Sequence, residues 1–404
     1  MPPRFFNRLA SVLPFLPGFV LGFLLACAGA DAAPLPALKV DPREVSVSGT
    51  SSGGYMAVQL HVAYSGTFSR GVGVVAAGPF YCAEGSAVHA TGRCLSGEPA
   101  APVDALVAIT RQWSALGWID PIANLQGSRA YLFTGSRDTA VRPPLGDALQ
   151  RWYTALMPAQ QITHRKDVAA EHGMVTDDYG NACEQRGLPF IQDCDFDLAG
   201  EVLRALHGPL APRNQGALAG DFIEFDQFAF VPPGRGMGPK GWLFVPPGCA
   251  ADAAGASGAC KLHVVLHGCG QNVEVFGRNF VLHTGYNRWA DINRIVLRYP
   301  QTSPEATNSC WDWWGYTGVD YARKSGVQMA AIKAMVERLA GVAAKCHTAF
   351  NNTHVFAGRA SYGWWGKAVA TGSRREMGYA WQRSSLREAP VGHFVPAPRA
   401  GCLA

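Results

Sequence analysis

The sequence predicts an α/β fold on a mostly parallel central sheet, and three observations carry it. Short runs rich in Val, Ile and Leu recur along the 404 residues and end in glycine or polar turn residues. Several of these runs are apolar at nearly every position, as strands covered on both faces require. Stretches with helical spacing lie between them, and strands alternating with helices build parallel sheets. The composition agrees, with 48% apolar and 16% charged residues, which excludes a disordered chain. The net charge of +5 forms no Lys/Arg block, so nucleic acid is not the expected partner.

The elements follow in chain order. Residues 1–33 read as an export signal: Arg4 and Arg8 form the positive end, Leu13–Ala26 the apolar stretch, and small residues follow. Beyond them no run is long enough to span a bilayer. Secretion is the expected destination. A periplasmic location, or a lipid anchor on Cys27, is the alternative. Val45–Ser48 alternates and ends at Gly49, and Tyr55–Ala63 then has helical character. Gly71–Ala77, Ala130–Phe133 and, more weakly, Ile162–His164 are strand candidates. Lys261–Leu266 and Ile295–Tyr299 are two more, and Val327–Ala340 is an amphipathic helix. Residues 208–220 and 232–240 are rich in Gly, Pro and Ala, and read as a linker or as long surface loops.

Leaving out Cys27, ten cysteines remain, and an exported chain favours disulfides over a metal site. No Cys-x-x-Cys pair occurs, which weakens zinc and thioredoxin-like readings, and neither a metal nor a cofactor is expected. The spacings suggest Cys82 with Cys94, Cys183 with Cys194 and Cys249 with Cys260. Cys269 with Cys310 is a reasonable fourth pair, which leaves Cys346 and Cys402. Spacing alone does not fix the connectivity.

Gly49-Thr50-Ser51-Ser52-Gly53 is a G-x-S-x-G pentapeptide between a strand and a helix. A serine on so sharp a turn needs small residues two positions to either side, and Ser51 has them. Ser52 would need a small residue at 50, where Thr50 stands. Such a turn exposes the Ser51 hydroxyl and leaves the Ser52 N–H free for an oxyanion. A serine nucleophile needs a base, and the base an orienting acid. Asp138 sits in the loop after the strand at 130–133 and is the expected acid; Asp120 and Asp147 lie nearer helical segments. His172, followed by Gly173 and a polar loop, is the expected base, ahead of His164 in a strand. The order Ser51, Asp138, His172 is that of the α/β-hydrolase triad.

His267-Gly268-Cys269 follows a strong strand, as an oxyanion turn does, with the Cys269 N–H as second donor. That turn normally precedes the nucleophile and here comes long after it. The fold is therefore expected to be a circularly permuted α/β-hydrolase. On this reading residues 34–404 form one catalytic domain whose two halves complete one sheet. Trp311-Asp312-Trp313-Trp314-Gly315-Tyr316 packs three tryptophans into four positions. They cannot all face one core, so Trp311, Trp313, Trp314 and Tyr316 are the expected substrate-binding residues. Trp364-Trp365 is a second pair.

At these residues the chain resembles the polyhydroxybutyrate depolymerase/esterase family, in the order of its circularly permuted, single-domain members. The similar segments are VSGTSSGGYMA at 47–57, TGSRDTAV at 134–141, EHGMVTDD at 171–178, LHGCGQN at 266–272 and SCWDWWG at 309–315. HVFAGRA at 354–360, with Gly372-Ser373 and Met377-Gly378, resembles its C-terminal stretch. The resemblance implies an extracellular serine esterase acting on poly(3-hydroxybutyrate) or related short-chain polyesters; a monomer without cofactor is expected. A feruloyl or acetyl-xylan esterase with the same triad is the alternative. No separate polymer-binding domain or Thr-rich linker is discerned, which predicts weak adsorption to crystalline polymer.

Overall fold

The computed structural model describes residues 32–250, 259–342, 345–371, 375–388 and 394–397. Most of the expected export signal, Cys27, Gly372-Ser373 and Cys402 lie outside the described residues. Ala33, expected within the leader, bridges to Phe225, and its carbonyl accepts the Asp226 N–H at 2.9 Å. No helix among the described residues is long and apolar enough to cross a membrane.

Strand β1 (Val40–Thr50) feeds helix α1 (Ser52–Ala63), followed by β2 (Gly71–Val75), β3 (Arg129–Phe133) and β4 (Ile162–Arg165). β5 (Met174–Thr176), β6 (Asn181–Ala182) and β7 (Ile191–Asp193) form a small separate sheet. β8 (Asp221–Asp226), β9 (Lys240–Val245), β10 (Cys260–Leu266) and β11 (Ile295–Tyr299) return to the main sheet. Its order is β4-β3-β2-β1-β10-β11-β9-β8, and β9 alone runs opposite to the other strands. The nucleophile strand thus comes first in the chain, and the strands of the other half come later. The two halves meet at the parallel β1–β10 pair, where Gly49 stands opposite Leu266.

The central strands are largely apolar and buried on both faces, β2 and β11 buried throughout, with Arg298 as a buried charge in β11 and Ser46, Ser48 and His263 as buried polar groups in β1 and β10. Helix α1 is buried along its whole length, so its apolar residues need no single stripe. The helix expected at 327–340 spans Val327–Leu339. β8 gave no sequence signal, because this edge strand, Asp-Phe-Ile-Glu-Phe-Asp, carries polar residues on its half-exposed face. β9 is an inner strand, and sequence reading missed its short apolar Trp-Leu-Phe-Val run beside the second Gly/Pro-rich stretch. The first Gly/Pro-rich stretch connects the helix Leu198–His207 to β8, and the second lies between β8 and β9.

Disulfides join Cys82–Cys94, Cys183–Cys194, Cys249–Cys260 and Cys269–Cys310. Cys346 is disulfide-bonded too. The C-terminal stretch adds β12 (Lys345–Phe350), β13 (Ala360–Tyr362), β14 (Lys367–Ala370), β15 (Glu376–Tyr379), β16 (Arg383–Glu388) and β17 (Phe394–Ala397). These form two three-stranded sheets around their own small cluster of Ala370, Leu386 and Phe394. They belong to the same compact unit as the main sheet. Asn351 of the only Asn-x-Thr sequon in that stretch is buried and donates to Met377 O and Tyr379 O.

Candidate active site

The site lies where two neighbouring parallel strands end, the usual place for chemistry in such sheets. β1 runs into Ser51 and β10 into His267-Gly268. Ser51 takes φ 57° and ψ −121°, a strained conformation for a residue with a Cβ. Its N–H donates to Val75 O at 2.9 Å and its carbonyl accepts the Tyr55 N–H at 3.0 Å, so sheet and helix hold it from both sides. A Cβ on Gly49 would stand 2.1 Å from Gly53 O, and one on Gly53 would stand 2.4 Å from Leu266 O. The small residues are therefore required: the turn folds back on itself and presses against the end of β10.

The three residues expected as nucleophile, base and acid come together. His172 Nε2 lies 2.9 Å from Ser51 Oγ, and His172 Nδ1 lies 2.9 Å from Asp138 Oδ2. Asp138 is 4% exposed, and its other oxygen accepts the N–H groups of Ala140 and Val141, each at 2.8 Å. The His172 carbonyl accepts from Gln192 Nε2 at 2.9 Å. The rejected candidates lie elsewhere: Asp120 pairs with Lys324, Asp147 with Lys166, and His164 bonds Thr134 and Gln150. Ser52 is buried, and its hydroxyl accepts the Trp311 N–H at 3.4 Å.

Ser52 and Cys269 both line the cavity over Ser51. Among the described residues neither backbone N–H has an acceptor. The turn that carries Cys269 is fixed from behind. Thr302 N–H donates to His267 Nε2 at 3.2 Å, so the proton of the neutral ring sits on Nδ1 and is donated to Gly268 O at 2.7 Å. Burial pushes His267 down to about 4, which keeps the ring neutral. In a trans peptide the carbonyl and the next N–H point opposite ways. Holding Gly268 O against His267 therefore turns the Cys269 N–H away from that ring. Gln271 Oε1 accepts the Gly268 N–H at 2.7 Å, and the Cys269–Cys310 disulfide ties the turn to the tryptophan loop.

The cavity measures about 350 Å³. Tyr55, Ala87, Ala90, Leu95, Val141, Phe190, Trp313 and Trp314 supply apolar wall, and Arg186 is the charged side chain at its margin. The expected tryptophan loop needs correction. Trp313 and Trp314 line the cavity, but Trp311 is wholly buried and donates from Nε1 to His267 O at 3.0 Å. Tyr316 faces away and donates to Cys310 O at 2.8 Å. The reason is Asp312, whose buried carboxylate accepts the N–H groups of Trp314, Gly315, Tyr316 and Thr317. The loop wraps that carboxylate, so neighbouring side chains point in different directions. Burial raises the Asp312 pKa against these hydrogen bonds. Sequence reading missed Asp312, although an Asp three residues before a Gly is a turn signal. It also missed Tyr55 and Phe190, which read as ordinary helix and loop residues. Among the described residues no group of three or more His, Cys, Asp or Glu side chains could hold a metal ion.

No protein-family model matches the chain. It is 56% identical over 309 residues to a poly(3-hydroxybutyrate) depolymerase of Delftia acidovorans, covering 76% of this chain and 62% of that protein. It is 38% identical over 331 residues to a polyhydroxybutyrate depolymerase of Talaromyces funiculosus, covering 78% of this chain and 95% of that one. The crystal structure of a PHB depolymerase from Penicillium funiculosum superposes with a TM-score of 0.71 at 36% identity, over 77% of this chain and 99% of that one. A serine-to-alanine PHB depolymerase complexed with an R3HB trimer superposes with a TM-score of 0.70, at the same identity and coverage. With an α/β-hydrolase sheet and these relatives, the chain belongs to the polyhydroxybutyrate depolymerase family.

Proposed function

We propose that the protein is a secreted serine esterase that hydrolyses poly(3-hydroxybutyrate) or related short-chain polyesters through an acyl-enzyme. The observation that carries this reading is the unbroken Ser51–His172–Asp138 relay, with both links at 2.9 Å, under an apolar cavity. Ser51 Oγ attacks the ester carbonyl while His172 Nε2 takes its proton. Asp138 holds the Nδ1–H tautomer and stabilises the imidazolium that forms. The N–H groups of Ser52 and Cys269 receive the oxyanion. The imidazolium then protonates the leaving alkoxide, and water repeats the sequence on the acyl-Ser51. A neutral aliphatic polyester suits walls of Leu95, Val141, Phe190, Trp313 and Trp314, which offer hydrophobic cover and few polar partners. The disulfides fit an oxidising destination.

The C-terminal stretch joins this reading as an adsorbing surface. Phe356, Trp364, Trp365 and Trp381 are 71–88% exposed, Trp381 with one face stacked on Tyr379, and a group of exposed rings of this size marks an interaction surface. The register sets Lys367 opposite Tyr379. The Trp364-Trp365 turn before β14 and the turn after β15 that bears Trp381 therefore share one end of the sheet. A packed polyester surface would cover these rings. This departs from the weak adsorption expected from sequence.

Clearing of a turbid poly(3-hydroxybutyrate) suspension tests the reading, with Ser51→Ala beside the unaltered protein. Clearing by the unaltered protein alone is the expected result. No clearing, with Ser51-dependent turnover of a soluble feruloyl ester, would keep the chemistry and move the substrate.

A further inference from the structure

The acid and the base reach the site on separate loops, one after β3 and one after β4. A single buried carboxylate spans both. Glu171 is 8% exposed and immediately precedes His172. Its Oε2 accepts the His172 N–H at 2.6 Å and the Thr139 N–H at 3.3 Å. Its Oε1 accepts the Thr139 hydroxyl. Thr139 immediately follows Asp138. Both oxygens of Glu171 are thus committed to the residue after the acid, and one also to the backbone of the base. The Glu171 N–H donates to Cys183 O at 2.9 Å, within the loop that the Cys183–Cys194 disulfide closes. Although burial opposes the charge, the hydrogen bonds from Thr139 and His172 and the nearby Arg186 hold the Glu171 pKa low. The carboxylate is ionised, and charge-assisted bonds of this kind are the strong ones.

We propose that Glu171 is a positioning residue for the esterase chemistry, clamping the acid loop to the base loop so that His172 meets Asp138 and Ser51 at once. The proposal rests on the esterase reading above. It assigns a reason for a buried charge that touches neither substrate nor the reacting atoms.

The test uses Glu171→Gln and Thr139→Val in the full chain. Turnover of p-nitrophenyl butyrate is measured per active site, with sites counted by a fluorophosphonate that labels Ser51. In Glu171→Gln an amide replaces one of the two acceptor oxygens. A misplaced base costs up to about a hundredfold, so kcat per labelled site is expected to fall about ten- to a hundredfold, with KM within about twofold. The rate of phosphonylation falls in parallel. Thr139→Val gives a smaller fall in the same direction, and the double variant is no worse than Glu171→Gln alone, because Thr139 acts through Glu171. A purely structural role would lower the labelled fraction or the melting temperature and leave kcat per labelled site within twofold; that result overturns the proposal. So does a rise in KM at constant kcat. If Glu171→Gln does not fold, Thr139→Val decides alone, and an unchanged kcat per site overturns the proposal. Failure of the unaltered protein to react with the fluorophosphonate would instead sink the esterase reading, and this proposal with it.

Discussion

Tyr55 stacks face to face on Trp313, with ring centroids 4.2 Å apart and planes 11° from parallel. Tyr55 lies one turn into the helix that Ser51 caps, so this contact ties the nucleophile helix to the tryptophan loop. The Tyr55 hydroxyl is anchored in turn on Cys94 O, beside a disulfide. Trp313→Leu removes both the stack and a cavity wall. Aromatic pairs contribute about 1 kcal/mol beyond their burial, so a modest loss of stability is expected. The larger effect is a severalfold rise in KM for a soluble butyrate ester with kcat little changed. A fall in kcat at constant KM would mean that the stack positions Ser51 rather than the substrate.

Ser51 and Ser52 are adjacent, yet their hydroxyls face different surroundings. Ser51→Ala should lower turnover by about 10⁴-fold or more while the fold persists, as removal of a triad serine does. Ser52→Ala keeps the backbone N–H and should retain turnover within about threefold, since only a 3.4 Å contact to Trp311 is lost. Steady-state kinetics and circular dichroism on both variants check this. Equal losses would place the nucleophile in doubt.

Gly268 faces the nucleophile directly. A Cβ there would stand 3.3 Å from Ser51 Cβ and 2.8 Å from Gln271 Oε1. Gly268→Ala should therefore fold but crowd the oxyanion turn. An oxyanion donor contributes roughly a hundredfold or more to kcat, and a partial loss of about tenfold is expected. Reaction with a small acetyl ester should suffer less than reaction with a butyrate ester. Identical losses on both would argue against crowding.

Buried histidines set the response to acid. Burial holds His61 down to about 3 and His267 down to about 4, and His263 well below its ordinary value. His61 is fixed between Tyr153 at 3.0 Å and Ser128 at 2.9 Å. The unfolded chain binds these protons below about pH 6.5, whereas the folded chain does not. The unfolded state then holds more protons, so stability falls as pH drops from about 6.5 towards 4, by up to about 1.4 kcal/mol per pH unit for each group. Urea unfolding at pH 7, 6 and 5 measures the slope. His61→Gln should make it shallower, and an unchanged slope would exclude His61 as a contributor.

The exposed rings of the C-terminal stretch predict a separation of binding from chemistry. Trp364→Ser, Trp365→Ser and Trp381→Ser together should abolish adsorption to polymer granules, read by sedimentation. Turnover of a soluble ester should stay within about twofold, because surface changes remote from a site are nearly neutral. Adsorption that survives the triple change would assign it to the cavity rim instead.

Much of this protein was legible in one dimension. Apolar runs placed β2, β3, β10 and β11, because strands buried on both faces have no solvent-facing side to disguise them, and the Val/Ser alternation before Gly49 placed β1. Gly49, Ser51 and Gly53 were readable because a turn that doubles back excludes side chains at fixed positions. Short spacings suggested three of the disulfides, and Cys269–Cys310, 41 residues apart, was the fourth pair expected. Other features depended on contacts between residues distant in sequence. β8 sits at a sheet edge, where polar residues are tolerated, and β9 joins the sheet only through its long-range pairing with β11. Trp311 and Trp313 differ by two positions and have opposite fates, core and cavity, because Asp312 gathers the loop's N–H groups around itself. Glu171 reads as a surface acid until folding brings Thr139 onto it, across 32 residues. Local rules determine where the chain can bend and which runs must be buried, whereas the direction of a loop side chain depends on which distant donors surround it.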